Sequence, residues 1–428
     1  MTASSSLRRP WRRLAVMSFL SLASLTWTWK VFACWAPAAQ SVRPLGRRAS
    51  LPPRQHRAPR AAVPGLDPGR AELALEFLTQ GEEVLSQRLT AGGTMRVTRH
   101  EASEQELPPD FLQGGGQCLG QEWRVLTFQP NAGVVGQPEG ELLQAVAKVC
   151  ILADGSKGDS EGATSIKQRD DVLVMQATKS MAAVMLSTLH ALGIADVSAD
   201  SNDAPVRILC IGLGAGSVPA FLARAMPHCE IDAVELEPAV AHAAQAGMGL
   251  AVGPRLRVIV DDGAEFARRS AQRLESEPYD AVLIDAFDAA GNTPAPLWMS
   301  DGGVCAALAG GLLREEGGIV VVNFLESVDV STKLAAYRSA LAVRQAGISF
   351  SVRTSDTEFR QVGDDYEFLK VEGGTGNYIA VQTCGKLSSR LNLEELRLRL
   401  AEGGRKWQEA ISCSFDMEAL SVLGLRTW

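Results

Sequence analysis

Short apolar runs alternate with stretches of helical period over most of this chain, and the alternation predicts its elements one by one. Residues 206–211, VRILCI, are apolar without a helical period, which marks a strand buried on both faces. Residues 231–234, 256–260, 281–284 and 318–324 share that character. Between them, 217–226, 239–246, 264–277 and 304–313 have helical composition, and 330–347 predicts a long helix. Strand and helix in turn build a parallel sheet with helices on both faces. Residues 348–353 and 378–383 close it as an antiparallel pair, and 391–410 is an amphipathic helix whose Arg and Glu face is solvated.

Upstream the pattern changes. Residues 71–89 carry helical periodicity, whereas 94–100, 123–128 and 144–151 read as strands, with turns in the Gly-rich 114–116 and at 131–140. These make a small β-rich module. Residues 154–164, rich in Gly, Ser and Asp, predict a mobile insertion; 172–192 predicts a helix, and 196–204 a polar connector into the sheet.

The start of the chain departs from all of this. Residues 1–66 hold ten Arg, one Lys and no acid; the first acidic residue is Asp67. Arg8, Arg9, Arg12 and Arg13 precede the apolar run 14–29, and the small residues Ala36, Ala38 and Ala39 follow, which is a signal-peptide layout. Residues 41–64, rich in Arg, Pro and Ala, extend it as a transit-like segment, and a signal stacked before a transit peptide is an address for a complex plastid. A mitochondrial presequence and an uncleaved membrane anchor are the alternatives, although the apolar run is short for a span. Without this leader, 31 basic residues face 49 acidic ones, a net charge of −18. Such a body is poorly suited to grip nucleic-acid phosphates. The eight cysteines form no CxxC pair and the five histidines have no ligand spacing, so neither a disulfide framework nor a metal site is expected.

The candidate chemistry gathers where the strands end. Gly212-Leu213-Gly214-Ala215-Gly216 follows the first sheet strand at once. Glycines there let the backbone approach a ligand, and the next helix offers free N–H groups. Glu235 ends the following strand, 23 residues beyond Gly212, where an acid accepts both ribose hydroxyls of an adenosine. Ser217 stands where the dinucleotide fingerprint needs its last glycine, which disfavours a nicotinamide or flavin. Asp261-Asp262-Gly263 follow the third strand and Asp285 the fourth. Each acid taken alone is better explained as a helix cap. Acids after successive parallel strands share one crevice, and that favours a site.

This succession resembles class I S-adenosylmethionine-dependent methyltransferases. Together with the β-rich module, the chain is similar to the spermidine-synthase-like branch, which includes the methyltransferase-like proteins that modify elongation factor 1A. The resemblance covers about 120–385 and is strongest at 206–298 and near 373–382. The stretch 279–288, YDAVLIDAFD, matches the aminopropyltransferase pattern of two acids spaced by two residues. Cys210 stands two residues before the first loop glycine, where most class I methyltransferases carry an acid. The resemblance implies that Gly212, Gly214 and Gly216 cradle the methionine part of the donor, S-adenosyl-L-methionine. It further implies ribose binding by Glu235, adenine binding by Asp262 with Gly263, and Gln176 near the nucleoside. Asp285 would sit at the reacting centre, with Asp288 and Asn292 behind it on an acceptor wall formed by 288–298.

The expected architecture is therefore α/β: a doubly wound, seven-stranded Rossmann-like methyltransferase sheet preceded by a small β-rich N-terminal module. Its expected divisions are a targeting leader at 1–66, the module at 67–165, the nucleotide-binding domain at 166–385 and a helical extension at 386–428. Methyl transfer to a protein or small-molecule nucleophile is the leading expectation. Spermidine synthases place an acid in their GGGDGG loop where this chain has Ala215, so nothing there repels the carboxylate of the donor. After Asp288 comes Ala-Ala-Gly-Asn in place of that family's Asp-Pro and Gly-Pro. Aminopropyl transfer from decarboxylated S-adenosylmethionine to a polyamine is the alternative, and a non-catalytic nucleoside-binding protein the second. No nucleic-acid partner is expected, the mature body is not expected to span a membrane, and a homodimer stays open.

Overall fold

The computed structural model describes residues 81–428 apart from 103, 113–116, 130–141, 154–163, 198–203, 274–276, 289–291, 326–328, 355–356, 363–364, 371–375 and 386–390; for 164, 357–362 and 365–370 it describes the backbone alone. The leader, the insertion at 154–163 and most of the 196–204 connector thus lie outside the described residues.

Five antiparallel strands come first, β1 (Glu82–Arg88), β2 (Thr94–Glu101), β3 (Cys118–Gln129), β4 (Leu142–Ala153) and β5 (Thr164–Gln168), paired in sequence order. The helix expected at 71–89 is corrected by β1, since residues 82–88 pair with β2. Arg96 meets Glu83 and Arg99 meets Glu82 across that pair, so a charged stretch of helical composition finds cross-strand partners instead. β5 lies across the expected module boundary at 165/166.

Helix α1 (Gln176–Ala191) leads into the second sheet. It starts four residues later than expected: 172–174 are buried but form no helix. Then follow β6 (Val206–Ile211), α2 (Ser217–Ala225), β7 (Cys229–Glu235), α3 (Pro238–His242) running into a π turn, β8 (Leu256–Val260), α4 (Gly263–Gln272) and β9 (Ala281–Ile284). The short α5 (Ala295–Trp298), α6 (Gly303–Ala309), β10 (Ile319–Phe324) and α7 (Val330–Leu341) complete the crossovers. Expected as one helix to 347, α7 stops earlier: a 3-10 turn and Gln345 at φ 65° turn the chain into β11 (Ala346–Arg353). A hairpin, β12 (Thr357–Val362) and β13 (Asp365–Lys370), precedes β14 (Tyr378–Cys384), α8 (Leu393–Ile411), α9 (Met417–Val422) and β15 (Arg426–Thr427).

The second sheet has eight strands in the order β15-β11-β14-β10-β9-β6-β7-β8, one more than expected. The extra strand is the chain end, held on the β11 edge and pinned by Trp428 Nε1 donating to Ser351 Oγ at 3.0 Å. From β10 to β8 the pairs are parallel; β14 and β11 are antiparallel.

Alternate residues explain why the strands are apolar throughout. Ile208 and Cys210 join Ile231, Leu283 and Val321 in a core under α1, α2 and α8. Leu209 and Ile211 join Val282, Ile284 and Val320 in a second core under α4, α6 and α7. Both faces are covered, as a parallel sheet requires. The helix expected at 391–410 is not peripheral: Trp407 of α8 is buried and its Nε1 donates to Leu186 O at 3.1 Å.

A third cluster positions the site. Met95, Val97, Leu126 and Ala147 of the first sheet pack on Ala215, Ala239, Val240 and Ala243. The antiparallel sheet therefore covers the glycine loop, at the carboxyl edge of the parallel one.

Candidate functional site

The loop Gly212–Gly216 joins β6 to α2 with all three glycines at positive φ, 92°, 54° and 75°. Gly212 admits no side chain, since a Cβ would stand 2.2 Å from Asp285 O. At Gly216 it would stand 2.5 Å from Leu250 Cδ2. A Cβ on Gly214 would meet only Ala145 Cβ at 3.8 Å, so there the left-handed backbone, and not crowding, demands glycine. No side chain caps α2, whose first N–H groups are left for a ligand, and the buried Ser217 Oγ has no partner.

Glu235 ends β7 beside this loop. Its Oε2 accepts from Leu213 N at 3.0 Å and its Oε1 from Glu237 N at 3.0 Å. Burial pushes the carboxyl above the usual glutamate range, against the opposing pull of the Glu237, Leu213 and Leu236 N–H groups. Leu236 beside it is 64% exposed, and Val260, paired with Glu235 across the strands, is 51% exposed. Both leave apolar surface bare beside the half-buried acid.

Beyond β8 the two acids have different work. Asp261 Oδ2 is held by Arg269 and Oδ1 by Asp262 N at 2.9 Å. Asp262 caps α4, its Oδ1 accepting from Ala264 N at 2.8 Å and Glu265 N at 3.1 Å. The helix-cap role weighed from sequence is thus what the structure shows for Asp262, and only Oδ2 remains for a ligand. Gly263 is a packing glycine, since its Cβ would meet Ile211 Cγ2 at 2.4 Å.

Asp285 follows β9, its N–H donating to Ile211 O at 2.9 Å. Its carboxyl keeps some exposed area yet lies deep among packed atoms, and burial raises its pKa; the Asn323 amide pulls it down. Asn323 Nδ2 donates to Asp285 Oδ1 at 2.9 Å, Asn377 Nδ2 donates to Asn323 Oδ1 at 3.0 Å, and Asn377 N donates to Thr354 Oγ1 at 2.9 Å. Asn323 and Asn377 fix this acid and were missed from sequence, although Asn323 is the one polar side chain in IVVVNF, a usable signal. Asp288 is exposed; Oδ1 accepts from Asn292 N at 2.8 Å, closing a loop whose residues 289–291 lie outside the described residues.

Gln176 is the first residue of α1 and shows no side-chain hydrogen bond among the described residues. A different glutamine reaches the loop. Gln168, 3% exposed at the end of β5, donates from Nε2 to Ala215 O at 3.0 Å, while its buried Oε1 has no partner. The glycine loop thus faces two unpartnered polar atoms, a free helix N-terminus and a buried acid. Those donors and acceptors fit a nucleoside carrying a charged amino-acid arm.

The antiparallel sheet is tied to the same edge. Although burial pushes Glu237 up, the Thr90 hydroxyl and the Thr90 and Ala91 N–H groups hold its carboxyl below the usual range. Those bonds measure 2.6, 2.9 and 3.0 Å.

Comparison with known proteins bears on this geometry. A polyamine aminopropyltransferase of Vibrio vulnificus is 38% identical over 87 residues, 20% of this chain and 28% of that protein. An eEF1A lysine and N-terminal methyltransferase of Danio rerio is 33% identical over 105 residues, 24% of this chain and 14% of that protein. By sequence the chain is related to both arms of the spermidine-synthase-like group of class I methyltransferase-like proteins. Homo sapiens has a relative of the same name, 34% identical over 82 residues, 19% of this chain and 12% of that protein. The matches span 12–28% of these three relatives' lengths. No protein-family model matches. Human methyltransferase-like protein 13, solved with SAH, overlaps 55% of this chain and 89% of that one at 19% identity and a TM-score of 0.37, too loosely to carry an argument.

Proposed function

We propose that the chain is an S-adenosylmethionine-dependent methyltransferase with a protein or small-molecule nucleophile as acceptor. The observation that carries it is the side chain at 215: in a loop fitted for a charged donor arm, Ala215 leaves no chain carboxylate to repel the carboxylate of that arm. Gly212, Gly214 and Gly216 cradle the arm, and Glu235 takes the ribose hydroxyls. Asp262, through its remaining oxygen, reads the adenine, with Leu236 and Val260 as its apolar support. The bound donor supplies an electrophilic methyl group.

The chain's own task is then to align and, where needed, deprotonate the acceptor. Asp285 suits both. Asn323 fixes its orientation, and a carboxyl raised by burial is a better base toward an amine than a solvated one. Asp288 stands at the entrance as a second acid. A protein acceptor agrees with the relatives named for eEF1A. The leader, in this reading, routes the protein to a plastid.

Aminopropyl transfer to a polyamine is the second reading, favoured by the acids at 285 and 288 and by the Vibrio relative. Calorimetry of the purified protein with S-adenosylmethionine, its decarboxylated form, S-adenosylhomocysteine and methylthioadenosine decides between them. Tighter binding of the carboxylated donor is expected. A preference for the decarboxylated one overturns the methyltransferase reading.

A further inference from the structure

Two residues beyond the acid given to the ribose stands another whose side chain works far from its own helix. Glu237 is the N-cap of α3: its carbonyl accepts from Val240 N at 3.0 Å and Ala241 N at 3.1 Å, while its side chain makes no hydrogen bond to that helix. Both carboxylate oxygens reach instead to the turn between β1 and β2. Oε1 accepts from the Thr90 hydroxyl at 2.6 Å and from Ala91 N at 3.0 Å, and Oε2 accepts from Thr90 N at 2.9 Å. Three donors on one carboxylate, two of them successive backbone N–H groups, make a charge-assisted clasp.

The turn is built to keep that grip. Leu89 N donates to Gly93 O at 3.2 Å and Gly92 N to Leu89 O at 3.1 Å, with Gly92 and Gly93 at φ 94° and 92°. The hairpin behind it is anchored as well: Gln87 Nε2 lies 2.9 Å from His242 Nδ1 at the far end of α3, and Val84, Leu85 and Leu89 pack on the cluster that holds Val240 and Ala243. The hairpin therefore grips α3 at both ends. Glu237 is in turn bonded to the ribose acid, since its N–H donates to Glu235 Oε1 at 3.0 Å. The clasped carboxylate and that N–H belong to one residue, so the place of the turn is passed directly to an oxygen of Glu235. A carboxylate that must meet two neighbouring hydroxyls needs its plane held this way, to within about 0.5 Å.

We propose that Glu237 is a positioning residue: gripped by the β1–β2 turn, it fixes Glu235 for the ribose hydroxyls, so that the antiparallel sheet sets how strictly the site demands a ribose. This rests on the proposed function only where that reading gives the ribose to Glu235, a placement that methyl transfer and aminopropyl transfer share. A clasp that merely held the fold together would, when cut, weaken every nucleoside alike. A clasp that positions Glu235 acts on the hydroxyls alone.

Calorimetry of the full chain with methylthioadenosine and with its 2′-deoxy analogue isolates the ribose, because adenine and thioether are common to both. The wild type is expected to prefer the ribose form at least about tenfold, the worth of a hydrogen bond to a charged group. Glu237→Ala removes all three bonds of the clasp and is expected to cut that ratio to about threefold or less. Thr90→Val, isosteric at an exposed turn, should lower the ratio in the same direction, and Thr90→Ser, which keeps the hydroxyl, should restore it. Added to Glu237→Ala, Thr90→Val should bring no further loss, since the hydroxyl has already lost its partner.

A folded Glu237→Ala protein that keeps the wild-type ratio overturns the proposal, however weakly it binds both nucleosides. Where Glu237→Ala does not fold, an unchanged ratio in Thr90→Val does the same. So does a wild type that binds the two nucleosides equally. The methyltransferase reading fails by a different result, preference for the decarboxylated donor, which carries the same ribose, so the two failures are distinguishable.

Discussion

Replacing Ala215 by Asp, with Ala215→Asn as its neutral twin, is the sharpest test of donor chemistry. Ala215 is 2% exposed and packs with Met95, Val97, Leu126 and Ala147 beneath the antiparallel sheet. A carboxylate there has two separable effects. It destabilises the fold as an unpaired charge among apolar groups, by about 3–5 kcal/mol. Asn brings only the polar-burial part, roughly 1–3 kcal/mol. The second effect falls on the ligand: like charges ~4 Å apart at an effective dielectric near ~20 repel by about 4 kcal/mol. A third of that is roughly tenfold in affinity. Calorimetry compares S-adenosylmethionine with methylthioadenosine, which has neither an amino nor a carboxylate charge, for wild type and both variants, with thermal melts to follow folding. Ala215→Asn should weaken both ligands alike. Ala215→Asp should weaken S-adenosylmethionine at least about tenfold beyond its effect on methylthioadenosine. Equal ratios for Asp and Asn would refute the placement of the donor carboxylate at this loop.

Three further outcomes are expected. Glu235→Ala should weaken S-adenosylhomocysteine by ~1.5–3 kcal/mol, the value of charge-assisted hydrogen bonds lost from a buried acid; unchanged affinity in a folded variant removes Glu235 from the ribose. Because burial raises the Glu235 pKa and the ribose needs the carboxylate, affinity should fall on acidification at a higher pH than an ordinary glutamate dictates, and Glu235→Gln should flatten that profile. Asp285 is likewise raised, so its contribution to folding is present below the ordinary carboxylate range and is lost as pH climbs through the raised value. Asp285→Asn should therefore abolish turnover yet stabilise the fold at neutral pH, with a small rise in melting temperature, about 1–2 °C for each kcal/mol in a chain of this length; a lower melting temperature contradicts the buried-charge account. Residues 1–70 fused to a fluorescent protein should reach a plastid-type organelle and be trimmed; a cytosolic signal sinks that reading, and lasting membrane retention of the full-length fusion favours an anchor.

Much of the parallel sheet was legible because its strands obey a local rule. Residues 206–211 and 281–284 carry no polar interruption beyond Arg207, so burial on both faces is written in composition. The elements that were misread depend on distant partners. Residues 82–88 have helical composition, yet they pair with β2 and pack Val84 and Leu85 on the cluster of Met95 and Val97, partners set by the fold and not by the local sequence. Residues 426–427 are a strand only because β11 offers an open edge. The site divides in the same way. Positive φ at Gly212, Gly214 and Gly216 follows from a glycine-rich strand-to-helix turn, whereas Gln168 reaches Ala215 from another sheet, across 47 residues of chain. Gln176 is implied only by the family resemblance, and Gln at a helix start is too common for its position to add to that.

The donor loop and the reacting acid are joined by backbone, and this limits how their roles can be separated. Gly212 lies so close to Asp285 O that any Cβ would overlap it, and Asp285 N donates to Ile211 O at 2.9 Å. One strand over, Gly212 N donates to Val234 O at 2.9 Å, and Glu235 receives Leu213 N while its own carbonyl receives Asp261 N at 3.0 Å. The ends of β6, β7, β8 and β9 are thus laced across the crevice, and Gln168 and Glu237 lace the antiparallel sheet onto them. A substitution that shifts one end displaces the others, so effects at Gly212, Glu235 and Asp285 will not add. Loss of turnover alone therefore assigns none of these residues a chemical role. Only a variant such as Asp285→Asn, which preserves the Asn323 contact and donor affinity while removing the base, isolates the chemistry from the scaffold that holds it.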